Sequence, residues 1–163
     1  MALAERRLGD GVSDALPHTR LASLHDLDAL APLLDAYRQF YEQPADRAGA
    51  RAYLAERMAR GECVVYAALA ASGEIIGFTL LYPTFTSVAM RRIFILNDLF
   101  VTPAARGTRA GAALLEAAKA HSRAAGALRL SLRTAHTNTR AQGVYERNGW
   151  QLETKFRQYD FVL

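Results

Sequence analysis

Apolar positions along this chain change period several times, and each change marks an element. Leu27, Leu30, Leu33, Leu34, Tyr37, Phe40 and Tyr41 recur at the spacing of a helix with one apolar face. Asp26 stands before them as an N-cap. Gln43-Pro44 closes the run, because the residue before a proline is driven out of helical conformation. A second helix is predicted over about Asp46 to Ala59, with Ala50, Tyr53, Leu54 and Met58 on one side and Gly61 as its stop. A short strand is predicted near Thr19 to Ser23. Cys63 to Ala71 is a run of apolar, β-prone residues, Ser72-Gly73 makes a turn, and Glu74 to Tyr82 completes a hairpin. Pro83 to Ala89 reads as a loop and Ile93 to Val101 as the central strand. Helical spacing returns from about Arg109 to Ala125, with Ala110, Ala113, Leu114, Ala117 and Ala118 inward and Gly126 at the end. Leu128, Leu130 and Leu132 alternate with Arg129 and Arg133, the signature of a strand with one buried face. A short helix over about Thr139 to Asn148 ends at Gly149. Trp150 to Glu153 and Phe156 to Val162 read as two closing strands.

The resulting order, β-α-α-β-β-β-α-β-α-β-β, predicts an α/β fold with a mixed central sheet flanked by helices. Residues 1–16, interrupted by Gly9, Gly11 and Ser13, read as a flexible N-terminal arm, and 17–163 as one domain.

Composition narrows the class. A chain of 163 residues suits one domain with a real core. No stretch is apolar enough for a membrane span, and Met1 to Arg7 lacks the apolar centre of a secretory leader. A single cysteine, Cys63, has no internal disulfide partner, which points to a reducing, cytoplasmic setting. The net charge of +4 is uneven: the segment from Thr102 to Arg147 carries +6 and the remainder −2. Such a basic segment suits a polyphosphate ligand. Nucleic acid is disfavoured, since no helix-turn-helix, zinc spacing or RNA-binding aromatic signature accompanies the charge. No metal-ligand spacing is evident.

The stretch from Asn97 to Leu115 carries the densest chemistry. A strand runs into a turn marked by Pro103, and a helix follows at once. Small residues (Gly107, Ala110, Gly111, Ala112) and the arginines Arg106 and Arg109 crowd this junction. The first turn of a helix has amides without internal partners and the positive end of the dipole, so a phosphate binds there when no side chain blocks it.

At these residues the chain resembles the GCN5-related N-acetyltransferase (GNAT) family. The family's acetyl-CoA motif is Arg/Gln-x-x-Gly-x-Gly/Ala; here it reads Arg106-Gly107-Thr108-Arg109-Ala110-Gly111, with Arg109 in place of the middle glycine. A second patch is similar to the family's Asn-x-x-Ala-x-x-x-Tyr-x-x-x-Gly-Phe: Asn138, Ala141, Tyr145 and Gly149 fall in register, and Trp150 replaces the Phe. The resemblance implies acetyl-CoA as co-substrate. It would lie along Leu99, Phe100 and Val101, with its pyrophosphate at Arg106, Gly107, Thr108, Arg109, Ala110, Gly111 and Ala112. Its pantetheine arm would pass Asn138, Ala141 and Tyr145. Direct transfer to an amine is implied, with Tyr145 protonating the departing thiolate.

The segments Gly77–Ser87 and Ile95–Val101 look like the branch holding diamine, polyamine and yeast histone/polyamine acetyltransferases. In the diamine branch the residue at position 97 is usually Glu, a proposed base. Here it is Asn97, whose amide cannot take a proton at neutral pH. The base is then Asp98, Glu42, His136 or a water. Tyr37, Tyr41, Glu42, Asn97 and His136 are the candidates for the acceptor side.

Structural roles stand beside these: Tyr145 as a half-buried helix residue, Asp98 as a strand brace, His136 as a loop former, Tyr37 and Tyr41 as core or rim. Cys63 reads as a strand residue, not a nucleophile. The expected acceptor is a small primary amine (polyamine, diamine or amino-acid-like). A protein lysine or N-terminal amine is the alternative, as is a non-catalytic acetyl-CoA sensor. Relatives of this kind are often homodimers joined through their C-terminal strands.

Overall fold

The computed structural model describes residues 17–163, so the arm expected over 1–16 lies outside the described residues. The elements are β1 (His18–Leu21), α1 (Leu27–Phe40), α2 (Arg47–Ala59), β2 (Val64–Leu69), β3 (Ile75–Thr86), β4 (Arg91–Val101), α3 (Ala110–Ala124), β5 (Leu130–Leu132) and α4 (Thr139–Arg147). The strands form one sheet in the order β1-β2-β3-β4-β5. β1 to β4 pair antiparallel, and β5 runs parallel to β4. This is the mixed α/β architecture expected from the pattern.

Two apolar layers hold it. Leu30, Leu34 and Leu54 of α1 and α2 pack on Val65, Phe78, Leu80 and Phe100. On the opposite face Leu115 and Ala118 of α3 meet Leu81, Phe94 and Leu96, while Ala110 and Leu114 meet Ala68. The small residues of α3 let it lie close to the sheet.

The first two helices are tied together by polar contacts that compensate for a proline. Pro32 lies inside α1 and has no amide to give the carbonyl of Asp28, one helical turn before it. Arg47 of α2 donates to that carbonyl at 3.5 Å, and Arg51 reaches the Asp28 carboxylate at 2.7 Å. At the other end Asp35, buried, accepts from Arg38 (3.1 Å), Gln39 (3.1 Å) and the Asp46 amide (2.8 Å). Asp46 itself caps α2 through the Gly49 amide at 2.8 Å. This cluster fixes the loop that carries Tyr41 and Glu42.

The feature that shapes the site is a bulge in β4. Leu80 pairs with Asp98 and Leu81 with Leu96, so Asn97 has no opposite residue on β3. Before the bulge Phe94 and Leu96 face α3; after it Leu99 and Val101 do. One extra residue has shifted the alternation. Asp98 and Phe100 therefore turn toward α1 and α2. Thr79 braces the bulge by donating its hydroxyl to the Asp98 carbonyl at 2.9 Å. The parallel pairing of β4 with β5 stops at Leu96 and Leu132, next to the bulge, so the last residues of β4 have an open edge.

Two sequence expectations are corrected. The loop expected over Pro83 to Ala89 is confined to its second half: β3 continues through Pro83 to Thr86 and pairs with β4 as far as Arg91, and the turn begins at Ser87. β2 ends opposite Leu81, so the outer edge of β3 is unpaired from there on, and a residue without an amide is tolerated. The closing strands expected at Trp150–Glu153 and Phe156–Val162 are not formed; residues 151–163 are irregular and exposed. A strand needs a partner for its amides and carbonyls, and β5, three residues long, offers a short template.

Candidate active site

Between β4 and α3 the chain makes a single 3-10 turn at Pro103–Ala105, then passes through Gly107 at φ 89° and Arg109 at φ 67°. Thr108 closes the turn, its hydroxyl donating to the Ala105 carbonyl at 2.7 Å. α3 begins at Ala110 with no side-chain cap. The Ala113 amide bonds to the Arg109 carbonyl at 3.0 Å, which leaves the amides of Ala110, Gly111 and Ala112 at the uncapped end. Small side chains, bare amides, the helix dipole and the exposed Arg106 fit a phosphate-bearing group there. The left-handed backbone at Arg109 also accounts for the glycine that the family motif puts at this position.

Asp98 stands at the centre of the second half of the site. It is buried at 7 % exposure. Asn97 donates its amide to Asp98 Oδ1 at 3.0 Å. Burial pushes the Asp98 carboxyl up to about 6; contacts from Asn97 and from the Tyr37 phenol pull the other way. Tyr37 is raised in turn, first by burial, then by the charge of Asp98 and by Tyr41 and Tyr145. Its ring meets Tyr41 edge-on, with centroids 5.1 Å apart. Tyr145 is also raised, by burial and by Tyr41. The structure thus brings Tyr37 from α1, Tyr41 from just beyond its end, Asn97 and Asp98 from β4, and Tyr145 from α4 to one place.

Tyr145 packs beside Trp150 at 6.1 Å between centroids and touches the layer that contains Leu99 and Leu132. Asn138 is the N-cap of α4: its side-chain oxygen accepts from the Ala141 amide at 3.2 Å, which leaves its NH2 group for a ligand. Ala141 and Tyr145 are one turn apart on the same face of α4. A cavity of about 420 Å³ opens between the end of α1 and the loop before α4, lined by Phe40, Tyr41, Glu42, Ala135, Thr137 and Asn138. His136 does not line it; its carbonyl accepts from Gln142 at 3.0 Å and its side chain is exposed.

Some of this was missed in the sequence. Phe40 reads as part of the helix's apolar face, but it is 61 % exposed and forms cavity wall. Tyr82, whose hydroxyl is paired with that of Tyr53, extends the face of Phe78 and Leu80 toward Asp98 and is raised by burial and by Tyr53. Its period-two spacing from Phe78 was the available signal. Cys63 is buried and its thiol is pushed up to about 11, mainly by burial, so it stays protonated at neutral pH.

With the fold and site described, comparison with known proteins gives the family. The model of the acetyltransferase (GNAT) family matches residues 30–150. An uncharacterised N-acetyltransferase of Bacillus subtilis, YhfO, is 49% identical over 86% of this chain and 93% of its own length. A probable acetyltransferase of Haemophilus influenzae is 30% identical over 85% of this chain and 92% of its own. The crystal structure of a probable acetyltransferase, 37% identical, superposes with a TM-score of 0.86 over 90% of this chain and 97% of that one. The chain belongs to the GNAT acetyltransferase family and is an N-acetyltransferase of that type, an enzyme class that uses acetyl-CoA as co-substrate.

Proposed function

We propose that the protein transfers acetyl from acetyl-CoA directly to the primary amine of a small molecule, a polyamine, diamine or amino-acid-like amine. The observation that carries this reading is the meeting of Asp98, Tyr37, Tyr41 and Tyr145 beside a cavity of small-molecule size, about 420 Å³. The small volume of the cavity favours a small acceptor over a folded protein surface. The likeness of Gly77–Ser87 and Ile95–Val101 to diamine and polyamine acetyltransferases supports the same class.

The amides of Ala110, Gly111 and Ala112 with Arg106, Gly107, Thr108 and Arg109 would hold the pyrophosphate of acetyl-CoA. The open edge of β4 at Leu99, Phe100 and Val101, with Asn138 and Ala141, would receive its pantetheine arm. Acetyl-CoA supplies an activated thioester. Asp98 accepts a proton from the acceptor ammonium, which is the dominant form of an amine at neutral pH. With a carboxyl near 6 it is ionised at neutral pH, yet close enough to take and release a proton. Asn97 and Tyr37 hold the carboxylate in place. Tyr145 gives its phenolic proton to the sulfur as the C–S bond breaks and the N–C bond forms. Alignment of the two substrates supplies much of the acceleration.

We read the enzyme as a cytoplasmic homodimer. Leu152, Phe156, Tyr159, Phe161, Val162 and Leu163 are each at least 80 % exposed in the single chain, which supports a second copy covering them. The functional reading is tested by following free-thiol release from acetyl-CoA with spermidine, putrescine, lysine, an aminoglycoside and a histone-tail peptide. Release dependent on a small amine supports it. Release with the peptide alone would move the activity to protein acceptors.

A further inference from the structure

Resting on the acetyl-transfer reading above, we infer that Glu42 selects acceptors bearing a second positive charge, linear diamines or longer polyamines, over monoamines. Glu42 is at the C-terminal end of α1 with φ 60°, a left-handed conformation that suits glycine and strains a residue with a Cβ. Packing gives nothing back for that strain. The side chain is exposed, and its carboxylate has no hydrogen-bond or ion-pair partner among the described residues. What the conformation does is set Glu42 on the wall of the cavity, together with Phe40 and Tyr41.

The wall is built for a cation. It has one acid, two aromatic rings, the neutral groups of Ala135, Thr137 and Asn138, and no basic side chain. Aromatic faces attract ammonium groups, and a nearby carboxylate adds full charge. The position is held, too: Tyr41 and Glu42 donate their amides to the carbonyls of Arg38 and Gln39 at 2.9 and 3.0 Å, and Asp35 fixes the loop that follows. Glu42 directly follows Tyr41, whose ring meets that of Tyr37 at 5.1 Å between centroids, so the cavity wall adjoins the residues around Asp98. Tyr37 faces Asp98, where the reacting nitrogen belongs. One nitrogen would then meet Asp98 while the other meets Glu42.

The test compares putrescine with n-pentylamine, which has similar length but a single nitrogen. kcat/KM for both is measured at pH 8. The wild type is expected to prefer putrescine. Glu42→Gln should lower the putrescine-to-pentylamine ratio about five-fold, the size of a solvent-screened ion pair, through KM. Glu42→Asp should restore most of the preference. Added salt should erode the preference in the wild type and not in Glu42→Gln. A ratio unchanged in Glu42→Gln would overturn the inference while leaving acetyl transfer intact. If no amine is acetylated, the transfer reading itself fails. Calorimetric binding of the two amines to the CoA-saturated protein then decides the role of Glu42: a putrescine preference that Glu42→Gln removes sustains it, and equal affinities refute it.

Discussion

Asp98 owes its chemistry to two neighbours and one lost neighbour, water. Burial raises the carboxyl, and Asn97 and Tyr37 keep it from rising further. The folded state therefore holds a proton at this site more tightly than the unfolded chain. The stability this contributes is full below about pH 4 and is lost as pH rises through about 6. Asp98→Asn should accordingly be more stable than the wild type at pH 8, by on the order of 1–3 kcal/mol, and equal to it below pH 4. Thermal melts at the two pH values check this. The same titration should make kcat/KM fall as pH drops below about 6. At the other end of the reaction, Tyr145→Phe should lower kcat by about a hundred-fold and leave acetyl-CoA affinity within about two-fold. Unchanged turnover would remove Tyr145 from the proton-donating role.

The residues of this site were legible to different degrees. Tyr145, Asn138 and the Arg106–Ala112 turn stood out because they form local patterns within one stretch of chain. Asp98 was named together with three competitors, because Asn97 occupies the place where a carboxylate was expected. What the sequence did not carry was the bulge that sends Asp98 to the helical face and lets Asn97 support it. Phe40 and Tyr82 were missed for a related reason: spacing reveals a face, but not where that face stops being covered.

Among the elements, the bulged β4 is the one on which the rest depends. It parts β4 from β5 and turns Asp98 toward α1. Close contact with β3 sustains it: a Cβ on Gly77 would lie 2.7 Å from the Phe100 carbonyl oxygen. Gly77→Ala should therefore destabilise the fold by about 1–3 kcal/mol, measured by urea unfolding, and a neutral result would show that the strands give way easily. α3 presents its bare N-terminus because the preceding turn is closed by Thr108 and not by a side-chain cap. Arg106→Ala should weaken acetyl-CoA binding several-fold, with a reduced salt dependence; unaltered affinity would argue against the phosphate site. Pro83 misled the reading of β3, since proline forbids a central ladder but not an edge, and only the sheet's outline distinguishes the two.

At the level of the whole molecule, the order of elements as far as α4 follows from the alternation of periods along the chain. The exception is the C-terminal segment. Its residues have the composition of strands, yet in one chain they find no partner and expose a row of large apolar side chains. Local pattern encodes the capacity to pair and not the partner. Light scattering on the full chain is expected to give a dimer, and truncation after Trp150 should give a monomer. A monomeric full-length protein would contradict the dimer.

The most direct test of the central claim is one assay: thiol release and acetylated amine quantified together, with acetyl-CoA and putrescine, for the wild type and Asp98→Asn. The expected result is one N-acetylated amine per thiol released by the wild type, and a rate at least about a hundred-fold lower for Asp98→Asn. Amine-dependent release that persists undiminished in Asp98→Asn would contradict the account. So would a wild-type protein that binds acetyl-CoA and acetylates no amine.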